Sequence, residues 1–238
     1  MTTALLVAAA LPAVAAGDAF PVTVVDDEGT EVTVEAYPER IISLSPANTE
    51  TVSALGAGDR LVGGTDYDDY PPEAAEVTDV ATFTGVIMEQ VVALEPDLVL
   101  AAGNGLTKPE EIATMRELGY PVVVLYAPDV DTVMADIEII GATVGAAEEA
   151  RAMTAQLSAQ MEVVAAEAAA AGVTPRVFYE LDATSEIFAP APDSFVADMI
   201  VRAGGEPITT GDPALWSIPL EELVVADPEI IILGDANY

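Results

Sequence analysis

Residues 89–100, EQVVALEPDLVL, recur nearly class for class as residues 221–232, EELVVADPEIII. In each copy an acid opens a short helix, where the helix dipole favours negative charge, and a Pro ends the helix before an apolar strand. Upstream of each copy, a Pro and an Arg precede another apolar strand, at residues 38–42 and 175–178. Because the same unit occurs twice, the sequence predicts two similar α/β lobes.

Short apolar segments alternate with helical segments in both halves of the chain, which is typical of parallel sheets covered by helices. Before them, alternating valines on either side of Asp26-Asp27-Glu28-Gly29 predict a β-hairpin. The predicted strands cover residues 41–44, 61–65, 98–101, 122–125, 177–181 and 230–233. The predicted helices cover residues 46–55, 89–94, 109–118, 194–203 and 220–225.

Residues 130–171 are predicted to form two helices that meet near Gly145, and the second, over residues 146–172, is long. One apolar stripe runs along it, made by Ala150, Met153, Leu157, Met161, Val164 and Ala168. At 1.5 Å per residue, its roughly 25 residues span about 37 Å, enough to connect two lobes.

We therefore predict an α/β fold with two doubly wound parallel-sheet lobes joined by a long backbone helix. The N-terminal lobe with its leading hairpin covers residues 20–145, and the C-terminal lobe covers residues 173–238. The sequence stops directly after a predicted strand, so we expect the second lobe to be incomplete.

The composition excludes several classes of protein. The 238 residues carry 41 Asp and Glu, 7 basic residues, no His and no Cys, for a net charge of −34. Few cations argue against nucleic acid as a partner, and the missing His and Cys argue against structural zinc, thiol catalysis and disulfides. Acids spread along the chain, with a single Lys, favour a halophile source, because concentrated salt screens the self-repulsion.

The N-terminus resembles a secretory signal peptide. Residues 5–14 are apolar and small, and an Ala-x-Ala at residues 13–15 resembles a cleavage site, although the basic start is missing. We expect residues 1–16 to be a signal-peptide remnant; an ordinary N-terminal helix is the alternative. The protein is then exported to the outer face of the cytoplasmic membrane. Since the chain has no Cys for a lipid, any anchor is expected to lie in a segment outside this chain.

Several motifs together resemble the solute-binding proteins of ABC importers that have a rigid interlobe helix. The motifs are residues 38–50 (PERIISLSPANTE), residues 65–73 (TDYDDYPPE), the hairpin and the two repeat units. The first two are most similar to the vitamin B12-binding members. The resemblance implies a class III periplasmic-binding-protein fold, a corrinoid ligand between the lobes, a monomer, and an ABC permease with its ATPase as partner.

The resemblance also implies roles for individual residues. Tyr67, Phe83 and Trp216 match aromatic positions that pack on the corrin ring, Phe83 standing where the pattern has an indole. For Tyr67 and Phe83, core or loop packing is the alternative. Glu89 and Glu221 match the acids that dock onto the permease, and a role as ordinary helix N-terminal acids is the alternative.

Polar strand-end residues complete the predicted site. Ser45, Pro46 and Asn48 lie where a strand feeds a helix, the usual place for ligands in open α/β sheets, although helix capping explains them equally well. Asn104 lies in a second such loop. We predict no catalytic residue, no metal ligand and no cofactor, and a bound cobalt corrinoid would keep its own axial ligands.

Two other functions stay open at this stage. Iron–siderophore or haem uptake fits the same family, but anionic siderophores need several Arg in the cleft, and the chain has few. A two-carboxylate hydrolase is the alternative from another class. Nothing singles out a carboxylate pair, and no His base, nucleophile motif or phosphate loop is present.

Overall fold

The computed structural model of the protein describes residues 20–234, so the predicted signal segment lies outside the described residues. The described chain begins with the predicted hairpin, made by antiparallel strands β1 (Val22–Val25) and β2 (Glu31–Val34). Gly29 adopts a φ of 76° in its turn, a left-handed conformation that favours glycine. Val32 and Val34 are buried against the first lobe, so the hairpin is packed on that lobe.

The first lobe contains a six-stranded sheet in which only the edge strand β6 is antiparallel. The strand order is β6-β5-β4-β3-β7-β8, so the chain starts in the middle and reverses direction between β3 and β7. Its elements are β3 (Ile41–Ser43), α1 (Pro46–Ala54), β4 (Leu61–Thr65), β5 (Thr78–Thr82), β6 (Gly85–Val86), α2 (Met88–Leu94), β7 (Leu98–Ala102), α3 (Pro109–Glu117) and β8 (Val122–Leu125).

Both faces of this sheet are buried. Successive strand residues point to opposite faces, and residues of both sets are buried. Ile41, Leu98 and Leu100 pack with the hairpin, α1 and the helices that follow the sheet. Their neighbours Ile42 and Val99 pack on the other face, against residues of α2 and α3. Burying an aliphatic side chain contributes roughly 1.5–3 kcal/mol, so this double layer holds the first lobe together.

Two helices lead to the second lobe: α4 (Val130–Thr143) and the predicted long helix, α5 (Ala147–Ala171). A Cβ on Gly141 of α4 would lie 2.3 Å from the Cβ of Ala150, so glycine permits the close approach of the two helices. Farther along, α5 is largely exposed; its buried residues are Ala150 and Thr154. In the part of the chain that the structure describes, no helix combines the length and apolar character needed to cross a membrane.

The second lobe repeats the start of the first with fewer strands. Its elements are β9 (Arg176–Glu180), α6 (Phe195–Arg202), β10 (Glu206–Ile208), α7 (Leu220–Ala226) and β11 (Ile230–Leu233). The strands are parallel in the order β10-β9-β11. All four residues of β11 are exposed, whereas all five of its counterpart β7 are buried. The predicted two-lobe α/β fold is confirmed, and the incompleteness of the second lobe stays a prediction.

The recurring sequence unit forms the same set of contacts in both lobes. The Arg40 Nε donates to the Leu94 carbonyl oxygen at 2.7 Å, and the Asp97 carboxylate accepts the backbone N–H of Arg40 at 2.9 Å. In the second lobe, the Arg176 Nε donates to the Ala226 carbonyl oxygen at 3.1 Å. These contacts tie the start of a strand to the end of a helix.

The ends of the two repeat helices differ slightly from the prediction. Glu95 and Asp227, which precede the two prolines, adopt left-handed conformations with φ of 45° and 50°. Each helix therefore ends at a left-handed residue, and the Pro after it directs the chain into the strand.

Candidate functional site

The carboxyl ends of the first-lobe strands bring the predicted ligand residues to one edge of the sheet. The strands β3, β4, β5 and β7 are parallel, so the loops that follow them leave the sheet on the same side. Those loops begin at or contain Ser45, Tyr67, Phe83 and Asn104. The sheet reverses its direction of growth between β3 and β7, which places the Ser45 and Asn104 loops beside the crevice expected there.

Ser45 and Asn48 have structural partners at this edge. The Ser45 Oγ accepts the backbone N–H of Asn48 at 3.3 Å, as an N-cap residue of α1 does, and Pro46 follows at the first helical position. Asn48 is buried, and its Nδ2 donates to the Ala101 carbonyl oxygen at 3.5 Å. The capping alternative therefore describes Ser45, whereas the Asn48 side chain ties α1 to the end of β7. A ligand contact by either stays a prediction.

The two first-lobe aromatic rings lie at the surface. Tyr67 is 58% exposed and Phe83, in the turn between β5 and β6, is 88% exposed, so neither ring belongs to the core. Both rings are accessible to a binding partner, and a ligand contact by them stays a prediction.

Buried Asp68 positions the Tyr67 loop, a role that the sequence analysis missed. One Asp68 carboxylate oxygen accepts the backbone N–H of Thr65 at 2.9 Å and the hydroxyl of Thr49 at 2.8 Å. The other accepts the Thr65 hydroxyl at 2.8 Å. An Asp that follows a strand end by three residues could have indicated a turn, but the bond to Thr49 of α1 depends on tertiary packing.

Trp216 lies at the corresponding edge of the second lobe. Its carbonyl oxygen accepts the backbone N–H of Ala189 at 2.9 Å, and Ile218 donates to the Ile187 carbonyl oxygen at 2.9 Å. These bonds pair the Trp216 segment with the loop that follows the carboxyl end of β9, while the indole is 47% exposed. The backbone is therefore held and the ring is available.

A pocket of about 440 Å³ lies beside the Asn104 loop. Its walls are formed by Asp27, Glu28, Gly103, Asn104, Val124, Tyr126, Pro128 and Thr132. A depression of about 740 Å³ lies at the opposite edge of the sheet, against β2 and the residues that precede β7 and β8. The smaller pocket lies at the carboxyl edge, where ligands of open α/β sheets bind.

A carboxyl group with a raised pKa, that of Asp136, lies close to the Asp27 carboxylate next to this pocket. Asp27 of the hairpin turn accepts the backbone N–H of Tyr126 at 2.5 Å, which holds the turn at the end of β8. Asp136 of α4 faces Asp27, and burial together with the charge and hydrogen bond of Asp27 raises the pKa of Asp136 to about 7. The Asp136 Oδ1 is buried without a hydrogen-bond partner among the described residues, so ionising Asp136 is unfavourable.

The predicted docking acids occupy equivalent places. Glu89 lies in the first turn of α2 and Glu221 in the first turn of α7, and both are exposed. Neither forms a salt bridge within residues 20–234. Both the docking role and the helix-terminal role fit this position, so docking stays a prediction.

Every basic side chain of the protein lies among the described residues and already has an oxygen partner. Arg40 and Arg176 bind helix-end carbonyls, and Arg60 donates to the carbonyl oxygens of Pro38 and Val144. The remaining basic residues, Lys108, Arg116, Arg151 and Arg202, form salt bridges. Within residues 20–234, no group of three or more Asp or Glu side chains is arranged to hold a metal ion.

The chain belongs to the periplasmic binding protein family, whose sequence profile matches residues 41–237. The fold and the comparisons together define a small-molecule-binding protein of the ABC-importer type, and not an enzyme.

Named relatives cover most of the chain. An uncharacterized ABC transporter substrate-binding lipoprotein of Bacillus subtilis is 29% identical over 222 residues, which are 92% of this chain and 70% of that protein. A cobalamin-binding protein of Halobacterium salinarum is 31% identical over 224 residues, 90% of this chain and 59% of that protein. The crystal structure of the periplasmic vitamin B12-binding protein of Vibrio cholerae is 27% identical, has a TM-score of 0.73, and matches 83% of this chain and 76% of that one.

The raised pKa of Asp136 predicts a pH-dependent stability that Asp136→Asn removes. Well below pH 4, Asp136 is protonated in both the folded and the unfolded chain. Between about pH 4 and 7 only the unfolded chain ionises it, so the wild type loses stability as pH rises, and above about pH 7 the loss is complete. A fully buried carboxyl with this shift would lose about 4 kcal/mol, and screening at a half-buried site reduces the expected loss to about 1–2 kcal/mol.

The free energy of unfolding, measured in urea at pH 5 and pH 8, checks this prediction. Asp136→Asn should be more stable than the wild type at pH 8, with a smaller difference at pH 5. Asp59→Asn, which neutralises an exposed carboxylate, is the matched control. An equal gain for Asp136→Asn at both pH values would contradict the raised pKa of Asp136.

Proposed function

We propose that this protein binds a corrinoid, a vitamin B12-like molecule, between its two lobes and delivers it to an ABC permease. The proposal rests on exposed aromatic side chains at the carboxyl edges of both sheets. Tyr67 and Phe83 belong to the first lobe, and Trp216 belongs to the second. A corrin is a large flat macrocycle with amide side chains, and aromatic faces suit such a partly apolar ring.

The occupied basic residues favour a corrinoid over an anionic siderophore. A siderophore that carries several negative charges needs unpaired guanidinium groups, and all six Arg of this chain are engaged with carbonyls or carboxylates. A bound haem would need Tyr or Met as its iron ligand, because the chain has no His or Cys.

The relatives support an exported location and a membrane partner. The Bacillus subtilis relative is named as a lipoprotein of an ABC transporter, and the Vibrio cholerae protein as periplasmic. We infer that this protein also works outside the cytoplasm, as a monomer anchored by a segment outside this chain. In this proposal, Glu89 and Glu221 each accept charge-assisted hydrogen bonds from basic residues of the permease.

The acidity supports function in concentrated salt. At a salt concentration of about 1 M, the Debye length falls to about 3 Å, and most of the repulsion among the exposed acids is screened. The protein is therefore to be handled and tested in molar KCl.

Cyanocobalamin is expected to bind the protein in molar KCl and to quench the fluorescence of Trp216, the single Trp. Tyr67→Ala and Trp216→Ala should each weaken binding about 3- to 10-fold, because each removes one aromatic contact with the ring. Isothermal titration calorimetry measures the affinity of all variants, including the one that lacks the fluorophore.

Leu118→Ala is the matched control, because Leu118 is a comparably exposed apolar residue at the opposite edge of the first lobe. It should bind cyanocobalamin like the wild type. Absence of heat and of quenching at micromolar cyanocobalamin would refute the corrinoid proposal. Equal losses in Leu118→Ala and Tyr67→Ala would refute the location of the site.

Permease docking is tested by reversing the two acids. The double variant Glu89→Arg, Glu221→Arg should lose uptake of labelled cyanocobalamin in cells that carry the cognate permease, while it keeps the wild-type affinity for the ligand. The control, Glu110→Arg with Glu222→Arg, makes the same charge change at exposed first-turn acids of α3 and α7. Unchanged uptake in the first variant, or equal loss in both, would overturn the docking assignment.

A further inference from the structure

Direct polar contacts between the two lobes are found at the start of α4. The backbone N–H of Val130, the first residue of α4, donates to the Asp198 Oδ2 of α6 at 3.0 Å. The Arg202 Nη2 of α6 lies 2.9 Å from the Asp131 Oδ2 of α4. Within α6, the Arg202 Nε donates to the same Asp198 oxygen at 2.7 Å. We refer to Asp131, Asp198 and Arg202 as the clasp.

The clasp uses the end of a helix as its binding point. The first N–H groups of a helix have no partner within it, and the helix dipole attracts a carboxylate to them. The side chain of Asp129, the N-cap residue of α4, accepts the backbone N–H of Thr132 at 2.8 Å. The Asp198 carboxylate of the second lobe accepts the backbone N–H of Val130. The second lobe therefore supplies part of the cap of a first-lobe helix.

The apolar contact beside the clasp is loosely packed. A groove of about 420 Å³ lies between α4, α5 and α6, lined by apolar residues that include Met134, Leu157, Met161, Phe195 and Met199. Side chains that face each other across such a gap gain little dispersion energy. The groove can yield when the lobes move, whereas the hydrogen bond and ion pair of the clasp have defined directions.

The clasp also lies close to the ligand side of the molecule. The helix α4 begins a few residues after the carboxyl end of β8, beside the pocket of Asn104 and Tyr126. The helix α6 begins after the loop that pairs with the Trp216 segment. A rotation of one lobe about the far part of α5 would pull these two helix starts apart.

We propose that the clasp of Asp131, Asp198 and Arg202 sets the angle between the two lobes and limits the opening of the cleft. The effect of the clasp on the interlobe angle does not depend on which ligand is bound. Its effect on corrinoid binding rests on the proposed function. With the clasp intact, Tyr67 and Trp216 stay at a narrow range of separations. Without it, α5 and the loosely packed apolar contact between α4 and α6 join the lobes, and the range widens.

Pulsed electron paramagnetic resonance tests the proposal without any ligand. The chain has no Cys, so Glu110→Cys on α3 and Glu222→Cys on α7 give two unique exposed sites for spin labels, one on each lobe. The width of the distance distribution is measured in this labelled background and in variants of the clasp. Arg202→Gln and Asp198→Ala should widen it. Asp131→Asn combined with Arg202→Gln should widen it no more than Arg202→Gln alone, because both remove the same ion pair.

Arg151→Gln is the matched control, since Arg151 pairs with Glu148 inside α5 and makes no contact between lobes. Its distribution should equal that of the parent. Asp131 is 83% exposed, so Asp131→Asn is expected to fold and provides the test if Asp198→Ala does not. Equal widths in the parent, Arg202→Gln and Asp131→Asn, or equal widening in Arg151→Gln, would overturn the proposal.

Cyanocobalamin dissociation is a second and separate measurement. If the corrinoid proposal is correct, Arg202→Gln should release cyanocobalamin several-fold faster than Arg151→Gln. A widened distance distribution with no cyanocobalamin binding in any variant, wild type included, would leave the clasp standing and refute the ligand. A wild-type release rate and a wild-type width together would refute the clasp alone.

Discussion

Both lobes depend on an arginine that ties the beginning of a strand to the end of a helix. Arg40 and Arg176 bind helix-end carbonyl oxygens, and an acid that follows the Pro, Asp97 or Glu229, takes the backbone N–H of the same arginine. Because these contacts fix the amino edge of each sheet, the opposite carboxyl edge is left to loops. The exposed aromatic rings and the pocket lie at that edge. The same contacts engage Arg40 and Arg176 at the amino edge of each sheet, opposite the proposed ligand site. These two arginines are therefore not available to bind an anionic ligand.

Much of this architecture could be predicted because local sequence patterns indicate each element. The recurring acid–Pro–strand unit, the valine alternation of the hairpin and the apolar stripe of α5 each reflect one element and its period. The strands β5, β6 and β10 were missed: β5 (TDVAT) and β10 (EPI) mix polar residues with few apolar ones, and β6 has two residues. Their strand conformation comes from pairing with neighbours, which no local pattern shows. The left-handed ends of α2 and α7 were missed for a similar reason, since Glu95 and Asp227 are ordinary acids in the sequence.

The candidate site divides in the same way. The rule that ligands meet the carboxyl ends of parallel strands predicted the loops of Ser45 and Asn104, and the family resemblance predicted Tyr67. The side chains that hold those loops were not identified, because their partners are distant in sequence: Asp68 binds Thr49, and Asp27 meets Asp136. The contacts of Asp198 with Val130 and of Arg202 with Asp131 likewise depend on how the lobes pack. In a chain with 41 acids, composition alone cannot distinguish such carboxylates from those that only interact with solvent.

The proposed position of the ligand, between two arginine-tied lobes that each carry an exposed aromatic ring, is the central claim. A crystal structure of the protein with cyanocobalamin, grown in molar KCl, tests it most directly. We expect the corrin ring to lie between the lobes, with Tyr67 on one side and Trp216 on the other. A corrin bound outside the cleft, or a cleft that stays empty at saturating cyanocobalamin, would contradict it.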